Sequence, residues 1–185
     1  MRFHEFRAMN TNILLAAEGE PQRVAEGFRA IEEQIHAQEA RFTRFADTSE
    51  LSALNHSAGG WFHASSEMFE VLRQAQRYYQ TTNGLFNPGI LQALENAGYD
   101  RSMDEIRAAG GVASLLNKRP VRSDLFAQMR MDDRGNSIFL PAGLRIDLGG
   151  IAKGWIAERA ARNLSRFARV CLVDAGGDMF ACGIP

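Results

Sequence analysis

Cysteine is scarce in this chain. Cys171 and Cys182 are the only two in 185 residues. They stand eleven positions apart inside apolar runs and match no metal or redox spacing, so they read as small buried hydrophobes. Histidine is equally thin: His4, His36, His56 and His63 are scattered, with no i, i+4 pair and no neighbouring cysteine. That argues against a zinc site. Excess charge is missing too, since 21 Lys and Arg face 22 Asp and Glu for a net charge of −1. No electrostatic case remains for nucleic acid or an anionic membrane as main partner. No apolar run approaches the roughly 18 residues of a membrane helix. The start, Met1-Arg-Phe-His-Glu-Phe-Arg, carries neither the apolar core of a signal peptide nor an early cysteine for lipid attachment, which sets a cytoplasmic location as the expectation. There is no Walker A loop and no Gly-x-Gly-x-x-Gly turn.

What is present is the composition of one soluble domain with a well-buried core, 45% hydrophobic and 23% charged. Residues 3–17 suggest two strands around Asn10-Thr11. Pro21 opens an amphipathic helix in which Val24, Phe28, Ile31, Ile35 and Phe42 form the inward face, with Gln38 as its polar interruption. Arg23, Glu26, Arg29 and Glu33 form its solvated face. Asp47, Thr48 and Ser49 offer caps to a short helix carrying Leu51 and Leu54 and ending at Asn55. A helix over 65–82, capped by Ser65 or Ser66, turns Met68, Phe69, Leu72, Ala75 and Tyr79 inward and stops at Asn83-Gly84. Residues 84–99 read as loop or short helix, and 101–120 as a short helix followed by a Gly110-Gly111 loop. Strands are expected at 126–132, 136–140 and 143–147, a helix at about 150–167, and two apolar strands around the turn Asp174-Ala-Gly-Gly-Asp178.

The most informative stretch is Arg145-Ile-Asp-Leu-Gly-Gly-Ile-Ala-Lys-Gly-Trp155. It reads as a strand end, a glycine turn freed from the limits a Cβ imposes, and a helix whose first N–H groups make a generic anion site. Lys153 opposes the helix dipole there and falls in the same sector as Ile156, Ala157, Ala160 and Leu164. It needs an anionic partner, either Asp147 in a structural bridge or a ligand phosphate. Spacing does not choose. Arg41-Phe-Thr-Arg-Phe45 reads as a helix end with favourable cations. Asp174 and Asp178 flank a second Gly-Gly, an ordinary turn or, with the first, a place for a cation.

In this order, four blocks resemble the ApbE family of FAD-dependent protein flavinyltransferases. They are Met9-Asn10-Thr11, Phe45 through Asn55, Gly84-Leu-Phe-Asn-Pro88 and its continuation to Tyr99, and Asp147-Leu-Gly-Gly-Ile-Ala-Lys-Gly154 followed by Asp174-Ala-Gly-Gly-Asp178. The resemblance implies an α+β fold, ApbE-like, with a mixed β-sheet flanked by helices. It implies Mg²⁺-dependent transfer of the FMN half of FAD to a threonine side chain of an acceptor flavoprotein, releasing AMP. By position it makes Met9, Phe45, Leu85, Phe86, Asn87, Asp147 and Lys153 flavin-nucleotide contacts, and gives the Gly150 carbonyl to the metal. It assigns no catalytic base to this stretch.

Family members are substantially longer, with further metal ligands and the base in their second half. The chain is therefore expected to be the N-terminal portion, residues 1–185, of an ApbE-like flavin transferase domain, truncated and lacking the C-terminal half. That half, or a second chain in a homo-oligomer, would complete the site and cover an open sheet edge or exposed apolar face. The alternatives are a non-catalytic FAD-binding module and a structural half that needs a partner chain.

Overall fold

A computed structural model describes residues 1–108, 110 and 123–183. The elements run β1 (Arg2–Ala8), β2 (Thr11–Glu18), α1 (Pro21–Phe42), α2 (Glu50–His56), β3 (Trp61–His63), α3 (Ser66–Thr81) and α4 (Leu91–Asn96). They continue with α5 (Met103–Ala108), a 3-10 turn (Ser123–Gln128), β4 (Arg130–Asp132), β5 (Ser137–Phe139), α6 (Ala152–Leu164), β6 (Val170–Ala175) and β7 (Asp178–Cys182). The chain forms two compact units, Met1–Arg41 with Ile151–Pro185, and Phe42–Gly150.

The first unit holds a four-stranded sheet in the order β1-β2-β6-β7, every pair antiparallel. The β1–β2 hairpin turns on Met9 (φ 51°) and Asn10 (φ 57°). Two left-handed residues suit the twist of a two-residue hairpin. Asn tolerates that conformation, while Met gives up about 1 kcal/mol. The Met9 N–H is held by Glu39 Oε1 at 2.6 Å. Helix α1 starts as its sequence directs: Pro21 occupies the first position, and Glu20 accepts the N–H groups of Gln22 and Arg23 at 3.0 and 2.8 Å. Those donors hold the Glu20 carboxyl below its ordinary pKa. Val24, Phe28, Ile31, Ile35 and Gln38 are buried, as are Ile13, Leu15 and Ala17 of β2 and Ile156, Ala157, Ala160 and Leu164 of α6. Each large aliphatic side chain in this set contributes about 1.5–3 kcal/mol. Among the described residues β1 and β7 are unpaired on their outer sides, with Phe3 and Met179 exposed.

The second unit holds a three-stranded antiparallel sheet, β3-β5-β4, beside α2, α3, α4 and α5. Ser49 caps α2, accepting from the Ser52 N–H at 3.0 Å, and Ser65 caps α3, accepting from the Met68 N–H at 3.1 Å. Glu50 joins the two helix starts by accepting both the N–H and the hydroxyl of Ser65 at 2.6 and 2.7 Å. Met68, Phe69, Leu72 and Ala75 are buried, Tyr79 leans on Phe126, and Asn83 and Gly84 end the run with φ of 50° and 81°.

The α+β class and the main helices stand as the sequence indicated. Where one mixed sheet was expected, strand pairing among the described residues gives two antiparallel sheets. The helices are two to three residues shorter at some ends, where fraying turns leave the regular ladder. The strand expected over 126–132 begins as the 3-10 turn, and only Arg130–Asp132 pairs. Residues 143–147 are not a strand. Their apolar alternation is genuine, since Leu144, Ile146 and Leu148 are buried, but a side chain replaces the ladder. Asn55 donates to the Ile146 carbonyl at 2.9 Å and accepts its N–H at 2.7 Å. Gly110 lies at φ 83°, and Gly111 lies outside the described residues.

Candidate functional site

In the second unit the segment ending at Asp147 is fixed from two sides. Asn55 grips Ile146, and the Asp147 N–H donates to the Pro88 carbonyl at 2.9 Å. That bond sets the Asp-Leu-Gly-Gly turn beside the Phe86-Asn-Pro loop. Within the loop, Asn87 Oδ1 accepts the Gly89 N–H at 2.9 Å, a local turn that orders its side chain. The Phe86 N–H donates to the Thr82 hydroxyl at 3.0 Å, and its ring meets Tyr78 edge-on. A Cβ built on Gly150 would lie 3.4 Å from the Phe86 ring, so Phe86 and the glycine turn are neighbours.

Each carboxylate oxygen of Asp147 has a partner. Its Oδ1 accepts the Gly149 N–H at 2.9 Å, and its Oδ2 receives Arg44 Nε at 2.9 Å. The two side chains are only 11% and 15% exposed, so this is a largely desolvated ion pair. The Arg44 guanidinium also lies 4.3 Å from the centre of the Phe45 ring, a cation–π contact that leaves that ring half in solvent. Phe45, Phe86, Asn87, Asp147 and Gly150 are thus joined through Arg44, the Pro88 carbonyl and direct packing. Leu85, in the same loop, is 92% exposed.

Met9 and Lys153 belong to the first unit. Lys153 Nζ lies 3.3 Å from Asp178 Oδ2, the two side chains 35% and 44% exposed. The Lys153–Asp147 bridge is not the pairing made: Asp147 takes Arg44 and Lys153 takes Asp178. Asp174 Oδ1 accepts the Gly177 N–H at 2.8 Å. Neither Gly149 nor Gly150 occupies the left-handed region, and the role of Gly149 is spatial rather than conformational. A Cβ on Gly149 would stand 2.9 Å from Asp147 Oδ1.

Sequence reasoning missed Arg44, which it read as a helix-end cation, and undervalued Asn55. A separate open groove of ≈ 590 Å³, lined by Trp61, Arg73, Gln76, Arg130, Met131 and Asp133, contains none of the expected site residues. Among the described residues no group of three or more His, Cys, Asp or Glu side chains is arranged to hold a metal ion. With Asp147 committed to Arg44 and Gly149, the residues described do not by themselves supply the oxygen donors Mg²⁺ requires.

The ApbE family model matches residues 9–185. The chain belongs to the ApbE family. A curated relative, the FAD:protein FMN transferase of Treponema pallidum, is 33% identical over 174 residues, covering 86% of this chain and 46% of that protein. The chain thus spans less than half the length of that relative. Among solved structures, the ApbE protein of Thermotoga maritima superposes with a TM-score of 0.75 at 23% identity, over 100% of this chain and 60% of its own. The apo flavinyl transferase ApbE of Pseudomonas stutzeri gives 0.75 at 14% identity, over 98% and 61%. These two establish the ApbE fold.

Proposed function

We propose that this chain carries the flavin-holding residues of a FAD:protein FMN transferase. The reaction is Mg²⁺-dependent transfer of FMN from FAD to a threonine hydroxyl of an acceptor flavoprotein, with release of AMP. Family membership and the name of the Treponema relative support the reaction class. The observation in this chain that carries the reading is the Arg44–Asp147 pair with the half-exposed Phe45 ring over it, beside Phe86 and Asn87.

An ion pair this desolvated is strong in fixing geometry and weak as a source of net stability. Its cost is understandable where two rigid polar groups and an aromatic face must be presented to a planar polar ring. In this reading Phe45 stacks on the flavin, Leu85 and Phe86 supply apolar contact, and Asn87 and Asp147 hydrogen-bond to it. Lys153, whose partner Asp178 is solvated and exchangeable, meets phosphate, and Met9 contributes from its strained turn.

In the transfer itself, the threonine hydroxyl gives its proton to a base that the family resemblance places outside this stretch, its oxygen bonds to the FMN phosphorus while the bridging P–O bond breaks, and AMP leaves with the bridging oxygen. Positioned cations and N–H donors stabilise the charge that develops. Mg²⁺ enters the proposal from the family resemblance, with the Gly150 carbonyl as its assigned oxygen. The engaged state of Asp147 favours, as a second reading, a module that binds FAD without transferring it.

Titration of the 185-residue chain with FAD, followed by flavin fluorescence with and without Mg²⁺, tests the proposal. Saturable binding is expected. AMP release in the presence of an acceptor flavoprotein selects transfer, and tight binding with no AMP selects the storage module. Absence of saturable binding removes the flavin-holding role from this chain.

A further inference from the structure

We propose that Cys171 and Cys182 are a reversible disulfide site that fastens strand β7 to β6. The two residues are direct partners in the antiparallel register. The hairpin closes at Ala175–Asp178, and Cys171–Cys182 lies four pairs further along, in the same hydrogen-bonding phase. Pairs in that phase have Cα atoms about 5.5 Å apart, inside the roughly 4.4–6.8 Å range that a disulfide spans. Residues directly opposite in a ladder also project to the same face. Here that face is the α6 side: the Cys171 thiol donates to the Ala161 carbonyl at 3.4 Å and is 1% exposed. Both thiols are free.

The two sulfurs differ in a way that sets the order of events. Cys171 is buried, and burial followed by the neighbouring Cys182 pushes its thiol up to about 11. Cys182 is half-buried and accessible. The oxidant is a small-molecule disulfide of the glutathione type. The Cys182 thiolate attacks one of its sulfurs, forming a mixed disulfide and expelling one glutathione thiolate. Cys171 then loses its proton to solvent and attacks the Cys182 sulfur, expelling the second glutathione. Two protein thiols and one oxidised glutathione become one protein disulfide and two reduced glutathiones, and a dithiol reverses the exchange. The bond would close β7 at the end opposite its turn, holding the strand that carries Asp178 against Lys153.

The full chain, folded and incubated with oxidised glutathione at micromolar protein concentration, gives the test by intact mass and thiol titration in denaturant. A monomer that has lost the mass of two hydrogens, shows no titratable thiol and regains both thiols with dithiothreitol is expected. Its Tm should rise by roughly 5 °C over the reduced form, from the loop-closure entropy of so short a loop. Cys182→Ser should show no such Tm rise and no loss of hydrogens. A wild-type chain that stops at a glutathione adduct on Cys182, or that forms only intermolecular dimers, overturns the proposal. So does retention of both thiols under conditions that fully oxidise free cysteine.

Discussion

The chain contains the same word twice, Asp147-Leu-Gly-Gly150 and Asp174-Ala-Gly-Gly177, and uses it in two ways. In both, the aspartate bonds a glycine N–H ahead of it, at 2.9 and 2.8 Å. The second turn is a hairpin: Gly176 and Gly177 lie at φ 62° and 100°, conformations that glycine adopts without strain. The first has no left-handed glycine. Gly149 is small because Asp147 Oδ1 stands 2.9 Å from where its Cβ would go, while a Cβ on Gly150 would touch the Phe86 ring at 3.4 Å. The charges around the two turns diverge likewise. Asp147 is drawn inward to Arg44, whereas the acidic residue after the second Gly-Gly, Asp178, faces Lys153 in a solvated pair. One turn is built around backbone conformation, the other around a desolvated charge. A shared motif therefore fixes local hydrogen bonding and leaves chemistry to the tertiary partner.

Alanine in the two glycine turns should separate the cases most sharply. Gly176→Ala places a Cβ 2.1 Å from Thr11 Oγ1 at a positive φ, and should cost about 3 kcal/mol in urea unfolding. Gly149→Ala meets only the end of a side chain, and should cost about 1 kcal/mol while displacing Asp147 and lowering FAD affinity. Equal losses would mean that the turns are constrained alike.

Next in size is Arg44→Ala. It leaves Asp147 as a poorly solvated anion without its cation, and about 2 kcal/mol of stability should be lost, with flavin affinity falling in parallel. An Arg44→Ala, Asp147→Ala double-mutant cycle in the same unfolding assay should return a coupling above about 1 kcal/mol. A coupling near zero would place the pair among ordinary surface bridges.

Amide substitution asks the question of charge alone. Asp147→Asn keeps a hydrogen-bond acceptor for Gly149 but strips the charge from beside Arg44, and about 1–2 kcal/mol should be lost. Asp174→Asn keeps the acceptor for Gly177 and should change stability by no more than about 0.5 kcal/mol. Matched thermal melts of the two variants make the comparison directly.

These contrasts also mark what the sequence could convey. The helices were legible because their signals are local: the apolar spacing of Val24 to Ile35, the serine caps at 49 and 65, and Asn83-Gly84 as a stop. The hairpin glycines were legible for the same reason. Residues 143–147 misled because the alternation of Leu144, Ile146 and Leu148 reports burial, which a strand and a side-chain-bonded extended segment share. The three-residue strand β3 carries too few positions for any period. The links of Arg44 to Asp147, Lys153 to Asp178 and Cys171 to Cys182 join residues by tertiary placement or strand register. No i, i+3 or i, i+4 rule reaches them. The expected site residues therefore rest on family pattern, and their partners appear only in three dimensions.

Lys153→Ala probes the other half of the comparison and should have the smallest effect on folding. Its pair with Asp178 is more than a third exposed on both sides, and such pairs contribute about 0.2–1 kcal/mol at most before screening by salt. Removing a cation from the first turn of α6 also relieves an unfavourable interaction with the helix dipole, worth about 0.3 kcal/mol or more. The two terms oppose, so the melting temperature should hardly move. FAD affinity is a different matter, because the proposed reading sets Lys153 against a phosphate. A drop of about tenfold in FAD affinity at unchanged stability is expected for a lost phosphate contact, about 1.4 kcal/mol. Unchanged affinity with unchanged stability would make Lys153 a surface residue and confine the flavin contacts to the Arg44–Asp147 side.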